Sequence, residues 1–335
     1  MTGCIIQARM RSSRLPGKVL KPITGKPLLY HLLSRIKNIK KSEICVIATT
    51  TDTSDDIIEE FGAKNSIPVF RGSTDDVMQR YINAAKKYNV DTIVRICADT
   101  PIIAPDVIDE MINKIETEKL DYCGIENENN FALTGVEAFT LNALEKQLLF
   151  NPKDYHKEHV SVLIRERDDF KKGKIKPDKS LVTQEVRLTV DTPADFELIK
   201  KVFEHFKSSD FPLKDAISFV LKNSSLKKIN AHIHQKDIHQ PSYSVCLVVT
   251  SVDEELKKKF INVFTEKHHI GFKVIYVSLD DPHFNWADFA EEASKFNFAL
   301  YDKNILGLTF TSPSKAVNLA EIDPEKAACE IKSAL

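Results

Sequence analysis

The segment IIQARMRSSRLPGKVL, from Ile5 to Leu20, places Arg9, Arg11, Arg14 and Lys18 in a loop that follows an apolar run. Guanidinium forks, an ammonium group, the hydroxyls of Ser12 and Ser13, and Gly17 for an unusual turn are what a polyphosphate needs. The loop matches neither G-x-x-x-x-G-K-[ST] nor G-x-G-x-x-G, so it is not one of the two common phosphate loops. A solvated basic loop is the plain alternative, weakened here by the preceding buried run and by Pro16-Gly17. Two carboxylates stand out beside it. Asp99 closes TIVRICAD, and Asp191 follows EVRLTV. After Asp191, Thr192 and Asp195 have capping-box spacing with Pro193 at the first helical position; they have a structural task, and Asp191 is left over. Two strand-end carboxylates near a basic loop suit Mg²⁺, which is held by one or two carboxylates plus substrate phosphates. For Asp99 a turn or cap role is the alternative.

The elements that must position these groups alternate. GCIIQA, EICVIATT, IPVFRG and DTIVRICAD read as strands. GKPLLYHLLSRIKN, TSDDIIEEFGAK, STDDVMQRYINAAKKYN and PDVIDEMINKIETE read as the intervening helices, the second with acids in its first turn and the third capped by Ser73 or Thr74. Such alternation predicts an α/β layered sheet with parallel strands and a ligand site at their carboxyl ends. The pattern from 130 to 225 is mixed, with GVEAFTLNALEKQL, a helical YHKEHVSVLIRER, a strand VRLTV and a helix TPADFELIKKVFEHF. Domain boundaries are expected at 1–225, a polar linker at 226–243, and a small α/β domain at 244–335. In that last part helices at 253–267, 286–296 and from Pro324 alternate with strands VCLVVTS, FKVIYVSL, FALY and LGLTFT.

The chain has 335 residues and a net charge of −1. Ten Lys or Arg precede Glu43 and no acid does, so residues from 43 onward carry −11. The basic loop is therefore a local device for an anionic ligand, and the whole chain lacks the footprint of a nucleic-acid or membrane binder. The six cysteines form no C-x-x-C pair, and no apolar stretch approaches the roughly 20 residues of a membrane span. These features predict a cytoplasmic protein with buried free thiols. His232, His234 and His239 lack a partnering cysteine nearby and read as linker residues rather than a zinc site. Trp286 and Phe284 read as core of the small domain.

The loop resembles the amino-terminal signature of cytidylyltransferases that activate acidic sugars, above all the spore-coat-polysaccharide SpsF-like branch, with Kdo and sialic acid cytidylyltransferases as cousins. The resemblance continues in order through VIATTTDTSDD, VFRGSTDDVMQRY, IVRICADTPIIAPDVID, GVEAF, HKEHV and VRLTVDTPADFELI, and covers about residues 3–205. It implies a GT-A-like α/β/α nucleotidyltransferase sandwich with a mostly parallel sheet. It implies that Ala8 and Arg9 meet the nucleotide, that Ser12, Ser13, Arg14 and Lys18 serve the triphosphate, and that Thr49 and Thr50 sit near the nucleotide pocket. Asp99 and Asp191 match the metal-binding aspartates, and Glu137, Glu158, His159 and Arg187 would face the acceptor. The sequence departs from the pattern twice. The fourth strand ends Cys97-Ala98-Asp99 where Gly-Asp is usual, and Gly135 stands where the branch usually has Asp before its Val-Glu pair.

The implied reaction is transfer of CMP from CTP to an acidic sugar or related acceptor, with Mg²⁺ as cofactor and pyrophosphate as leaving group, in surface polysaccharide biosynthesis. A phosphate or phosphonate acceptor is the rival within the class, and a degenerate nucleotide-binding regulatory module the rival outside it. Family enzymes often dimerise, which leaves a homodimer open.

Overall fold

The computed structural model describes residues 1–12, 14–126 and 132–233, the backbone of four later strands, and the single positions 258 and 262. The chain forms two compact units, 1–152 with 156–235, and 153–155 with 236–335. The strands of the first unit are β1 (Thr2–Gln7), β2 (Pro22–Ile23), β3 (Lys26–Pro27), β4 (Ile44–Thr50), β5 (Val69–Gly72), β6 (Thr92–Cys97), β7 (Tyr122–Ile125), β8 (Val136–Thr140) and β9 (Lys172–Ile175). β2 and β3 form a small antiparallel hairpin. The others make a seven-stranded sheet in the order β5-β4-β1-β6-β8-β7-β9. β1 lies between β4 and β6, parallel to both, with Gln7 opposite Ala48 and Cys97. β8 runs antiparallel to β6 and β7 and sets Glu137 opposite Arg95.

Side chains along β1 alternate between two cores, as a strand buried on both faces requires. Cys4 and Ile6 join Ile47, Val94 and Ile96 under the helices Leu28–Ile36, Pro105–Glu118 and Pro193–Phe206. Ile5 joins Ala48 and Ile93 under the helices Val77–Lys87 and Leu141–Gln147. The result is an α/β/α sandwich with a mostly parallel sheet. Its central strands end together at Gln7, Thr50 and Cys97, where the basic loop leaves the sheet.

Local expectations fail at four places. The helix from Val77 is capped by Asp76, whose Oδ1 accepts from Gln79 N at 2.8 Å; Ser73 Oγ instead accepts from Asp76 N at 3.0 Å. The expected helix YHKEHVSVLIRER is two short helices, Asp154–His159 and Val162–Glu166, parted by Val160 at φ 61°. That left-handed conformation is costly for a β-branched residue, and the break turns Ser161 Oγ onto Glu137 Oε2 at 2.6 Å. VRLTV is buried but joins no ladder; Val190 N donates to Asp99 O at 2.8 Å. Its apolar alternation reports burial, which a core-lining segment outside the sheet shares with a strand. Residues 226–233, expected as linker, return to the first unit: Ser224–Lys227 is a helical turn and Asn230 is 5% exposed.

In the second unit β10 (Ser244–Val249), β11 (Gly271–Tyr276), β12 (Phe298–Tyr301) and β13 (Ala316–Asn318) form a parallel sheet in the order β11-β10-β12-β13. The expected strand LGLTFT, Trp286 and Phe284 lie outside the described residues, as do the three expected helices apart from positions 258 and 262.

Candidate active site

The basic loop is closed by its own backbone. Ser12 N and Gly17 N both donate to Met10 O, at 3.0 and 2.8 Å. Gly17 sits at φ 69°, ψ 11°, the left-handed turn that glycine makes without steric cost. The loop is then pinned from outside by Asp55, which is 1% exposed. Asp55 Oδ1 accepts from Met10 N at 2.7 Å, and Oδ2 accepts from Thr49 Oγ1 at 3.0 Å and Thr50 Oγ1 at 2.5 Å. Thr49 and Thr50 thus hold the loop's anchor at the end of β4. Ala8 is buried and donates its N–H to Ala48 O at 3.3 Å. Arg9 and Arg14 are exposed and Ser12 is half-buried; Ser13 lies outside the described residues.

After Gly17 a short turn, Lys18–Leu20, carries Lys18 inward to 8% exposure. Its Nζ donates to Asp99 Oδ2 at 2.8 Å, Asp191 Oδ1 at 3.0 Å and Val190 O at 2.8 Å. All three ammonium hydrogens have an acceptor. Arg14 reaches the same Asp191 Oδ1 at 3.0 Å, and Arg187 Nη2 donates to Asp191 Oδ2. Burial alone would lower the Lys18 pKa, but Asp99 and Asp191 outweigh it and raise the pKa above 10.5. Burial alone would raise the Asp191 pKa, but Lys18, Arg14 and Arg187 hold it below 3.8. The pair is ionised throughout the neutral range.

Two hard carboxylate oxygens from separate segments converge on one point, which Lys18 Nζ occupies. Among the described residues no three His, Cys, Asp or Glu side chains gather as an all-protein metal cage. A two-carboxylate donor set that leaves further positions to substrate oxygens fits a divalent cation accompanied by phosphates.

Of the sequence-predicted residues, Arg14, Lys18, Asp99, Asp191 and Arg187 are brought together. Glu137 enters a different, buried network. Its Oε1 accepts from Arg95 Nη1 at 2.8 Å, and its Oε2 accepts from Ser161 Oγ and from Tyr122 OH at 3.2 Å. Arg95 also donates to Gln7 Oε1 at 3.3 Å and to the carbonyl of His159 at 3.4 Å. Glu137 therefore ties β8, β6 and the two short helices to the base of the loop. Glu158 and His159 are half-buried on the helix Asp154–His159. Gly135 has φ 81°, and a β-carbon there would lie 3.0 Å from Thr100 Cγ2, so glycine at this place answers a backbone need. Asp55, which holds the loop, and Asn230, which bonds to Asp195 and Arg187, are buried contacts that sequence reasoning misses. Asp55 looks like an ordinary first-turn acid, and no local signal distinguishes Asn230.

A family model described as "Cytidylyltransferase" matches residues 3–238. The spore coat polysaccharide biosynthesis protein SpsF of Bacillus subtilis is 32% identical over 208 residues, 60% of this chain and 85% of that protein. An 8-amino-3,8-dideoxy-manno-octulosonate cytidylyltransferase of Shewanella sediminis is 34% identical over 114 residues, 33% of this chain and 46% of that protein. The solved structure of a cytidylyltransferase from Leptospira borgpetersenii serovar Hardjo-bovis is 35% identical, with a TM-score of 0.63 over 68% of this chain and 96% of that one. Fold and sequence together define a CTP-dependent nucleotidyltransferase. The chain belongs to the cytidylyltransferase family, in its SpsF-like branch.

The buried ion pairs make stability depend on pH. Burial would raise the Glu137 pKa, but Arg95 and Arg165 hold it below 4.5. A depressed folded-state pKa stabilises above the unfolded value and loses that contribution as pH falls through the folded one. Glu137→Gln should cost about 3–5 kcal/mol at neutral pH, and the deficit should shrink below about pH 4; denaturant melts across pH read both. Asp191→Asn should likewise cost about 3–5 kcal/mol, because both its oxygens carry buried ion pairs. Asp99, whose side chain is 23% exposed, should cost less as Asn in the same melts.

Proposed function

We propose that the protein transfers CMP from CTP to a hydroxyl of an acidic sugar and releases pyrophosphate, in the synthesis of a surface glycan. The observation that carries this reading is the convergence of Lys18, Arg14, Asp99 and Asp191 where the basic loop leaves the sheet. Support for the acceptor comes from the relatives, whose names speak of a spore coat polysaccharide and of an octulosonate, itself a sugar acid.

The acceptor oxygen attacks the α-phosphorus in line, its bond to phosphorus forms, the α–β bridging P–O bond breaks, and pyrophosphate leaves with that electron pair. The hydroxyl proton passes to solvent. Enzymes of this kind work mainly by positioning and charge stabilisation. Asp99 and Asp191 are the residues that would hold Mg²⁺, which when bound neutralises charge on phosphate and acceptor oxygens. The loop backbone, closed on Met10 O and clamped by Asp55, gives the phosphates a rigid cradle. Arg14 and Lys18 stabilise the charge that grows on the departing pyrophosphate. Ala8 and Arg9, at the start of the loop, meet the nucleoside end, with Thr49 and Thr50 beneath. Glu137, Glu158 and His159 belong to the acceptor side, where Glu137 acts through Arg95 as a support for the wall rather than as a contact.

Pyrophosphate release with each of CTP, ATP, GTP and UTP against a panel of 3-deoxy-ulosonic and nonulosonic acids tests the reading. CTP with at least one acidic sugar should be active, and Asp99→Asn and Asp191→Asn should lose this activity at limiting Mg²⁺. Equal release from all four nucleotides, or release with phosphate or phosphonate acceptors alone, would contradict it. Lys18→Ala should weaken CTP binding by about 10- to 100-fold, the worth of one charge-assisted hydrogen bond, and leave CMP nearly unaffected. Calorimetry with both nucleotides decides, and equal losses would place Lys18 away from the β/γ end.

A further inference from the structure

Asp191 offers Oδ1 to Lys18 and Arg14, and its other oxygen is held from behind by Arg187. What holds Arg187 is Asp195, whose side chain is completely buried. Asp195 Oδ1 accepts from Arg187 Nε at 3.2 Å. Its Oδ2 accepts from Asp191 N at 3.1 Å and from Thr192 N and Oγ1, each at 2.9 Å. Asp195 therefore does more than complete a capping box. It fixes the backbone of Asp191 and, through Arg187, one oxygen of its carboxylate.

The last member of this chain of contacts comes from residues that the sequence marks as linker. Asn230 Nδ2 donates to Asp195 Oδ1 at 2.8 Å and to Arg187 O at 3.1 Å. A primary amide nitrogen carries two hydrogens, and both have an acceptor here. An aspartate of the same shape would set an acceptor against two acceptors, and a leucine would leave Asp195 Oδ1 short of a bond in a buried place. The helix Leu213–Lys222 and the turn Ser224–Lys227 bring the chain back so that Asn230 closes over Arg187.

We propose that Asn230 is a positioning residue of the active site. It locks Asp195 and Arg187 together so that the carboxylate of Asp191 presents Oδ1 to the cation. This inference rests on the reading of Asp191 as a cation ligand. It makes Asn230 part of the catalytic unit, in keeping with a family match that runs to residue 238. Outer partners that orient a metal ligand are worth about 10- to 100-fold in metal affinity.

The test is Mn²⁺ affinity in the presence of saturating CTP, followed by electron paramagnetic resonance on the full chain, with the melting temperature measured alongside. Asn230→Ala should weaken Mn²⁺ by about 10- to 100-fold, and Asn230→Ser, which keeps one donor, should weaken it less. Leu226→Ala, which trims a side chain packed on the core from the same turn, should lower the melting temperature without moving Mn²⁺ affinity. Unchanged Mn²⁺ affinity in Asn230→Ala overturns the proposal, as does an equal loss in Leu226→Ala. Should Asn230→Ala fail to fold, Asn230→Ser takes its place beside Leu226→Ala: weakened Mn²⁺ binding in the serine variant alone supports the proposal, and unchanged binding overturns it. If the unaltered protein binds no Mn²⁺ beside CTP, the ligand reading of Asp191 falls, and this inference falls with it.

Discussion

The ammonium of Lys18 is the contact on which the rest of the site depends. It joins the end of the basic loop to Asp99, which follows β6, and to Asp191, in a buried segment that belongs to no sheet. A buried charge is tolerated only when it is paired and fully hydrogen-bonded, so each of these three segments constrains the other two. Lys18, Arg14 and Arg187 face Asp99, Asp191 and Asp195 in equal number, which makes the cluster neutral as it stands. In the proposed reaction a triphosphate would bring charge that a divalent cation balances. The residues that hold these segments together are the same ones to which the proposed reaction assigns the triphosphate and the cation.

A second buried network, beside this cluster, depends on the insertion of β8 antiparallel beside β6. That insertion puts Glu137 against Arg95, and Arg95 against Gln7 at the last residue of β1. The two short helices, through Ser161 and the carbonyl of His159, thus meet a buried ion pair that also contacts the strand leading into the basic loop. Val160 accepts a left-handed conformation so that Ser161 can complete that pair. Local strain is retained where it serves the geometry of the site.

Much of this is legible in the sequence. The loop can be read from its cations and Pro16-Gly17, Asp99 and Asp191 from their places after apolar runs, and the Thr192–Asp195 box from spacing. Those signals are local, set by backbone geometry over a few residues. Most of the missing parts are long-range. Asp55 looks like an acid suited to a helix start until Met10 is known to lie against it. Glu137 carries no mark of Arg95 until the strand order is known, and Asn230 lies in a polar stretch whose composition suggests solvent. VRLTV shows the opposite limit: its periodicity correctly gives burial, yet periodicity does not specify a hydrogen-bonded neighbour.

Attack at the α-phosphorus of CTP, directed by the cluster around Lys18, leaves a signature in the ³¹P NMR spectrum of CTP incubated with the protein, Mg²⁺ and an acidic sugar acceptor. The three CTP resonances should give way to inorganic pyrophosphate and one phosphodiester signal, with CMP joined to the acceptor. Formation of CDP and inorganic phosphate would place the chemistry at the γ-phosphorus and contradict this mechanism.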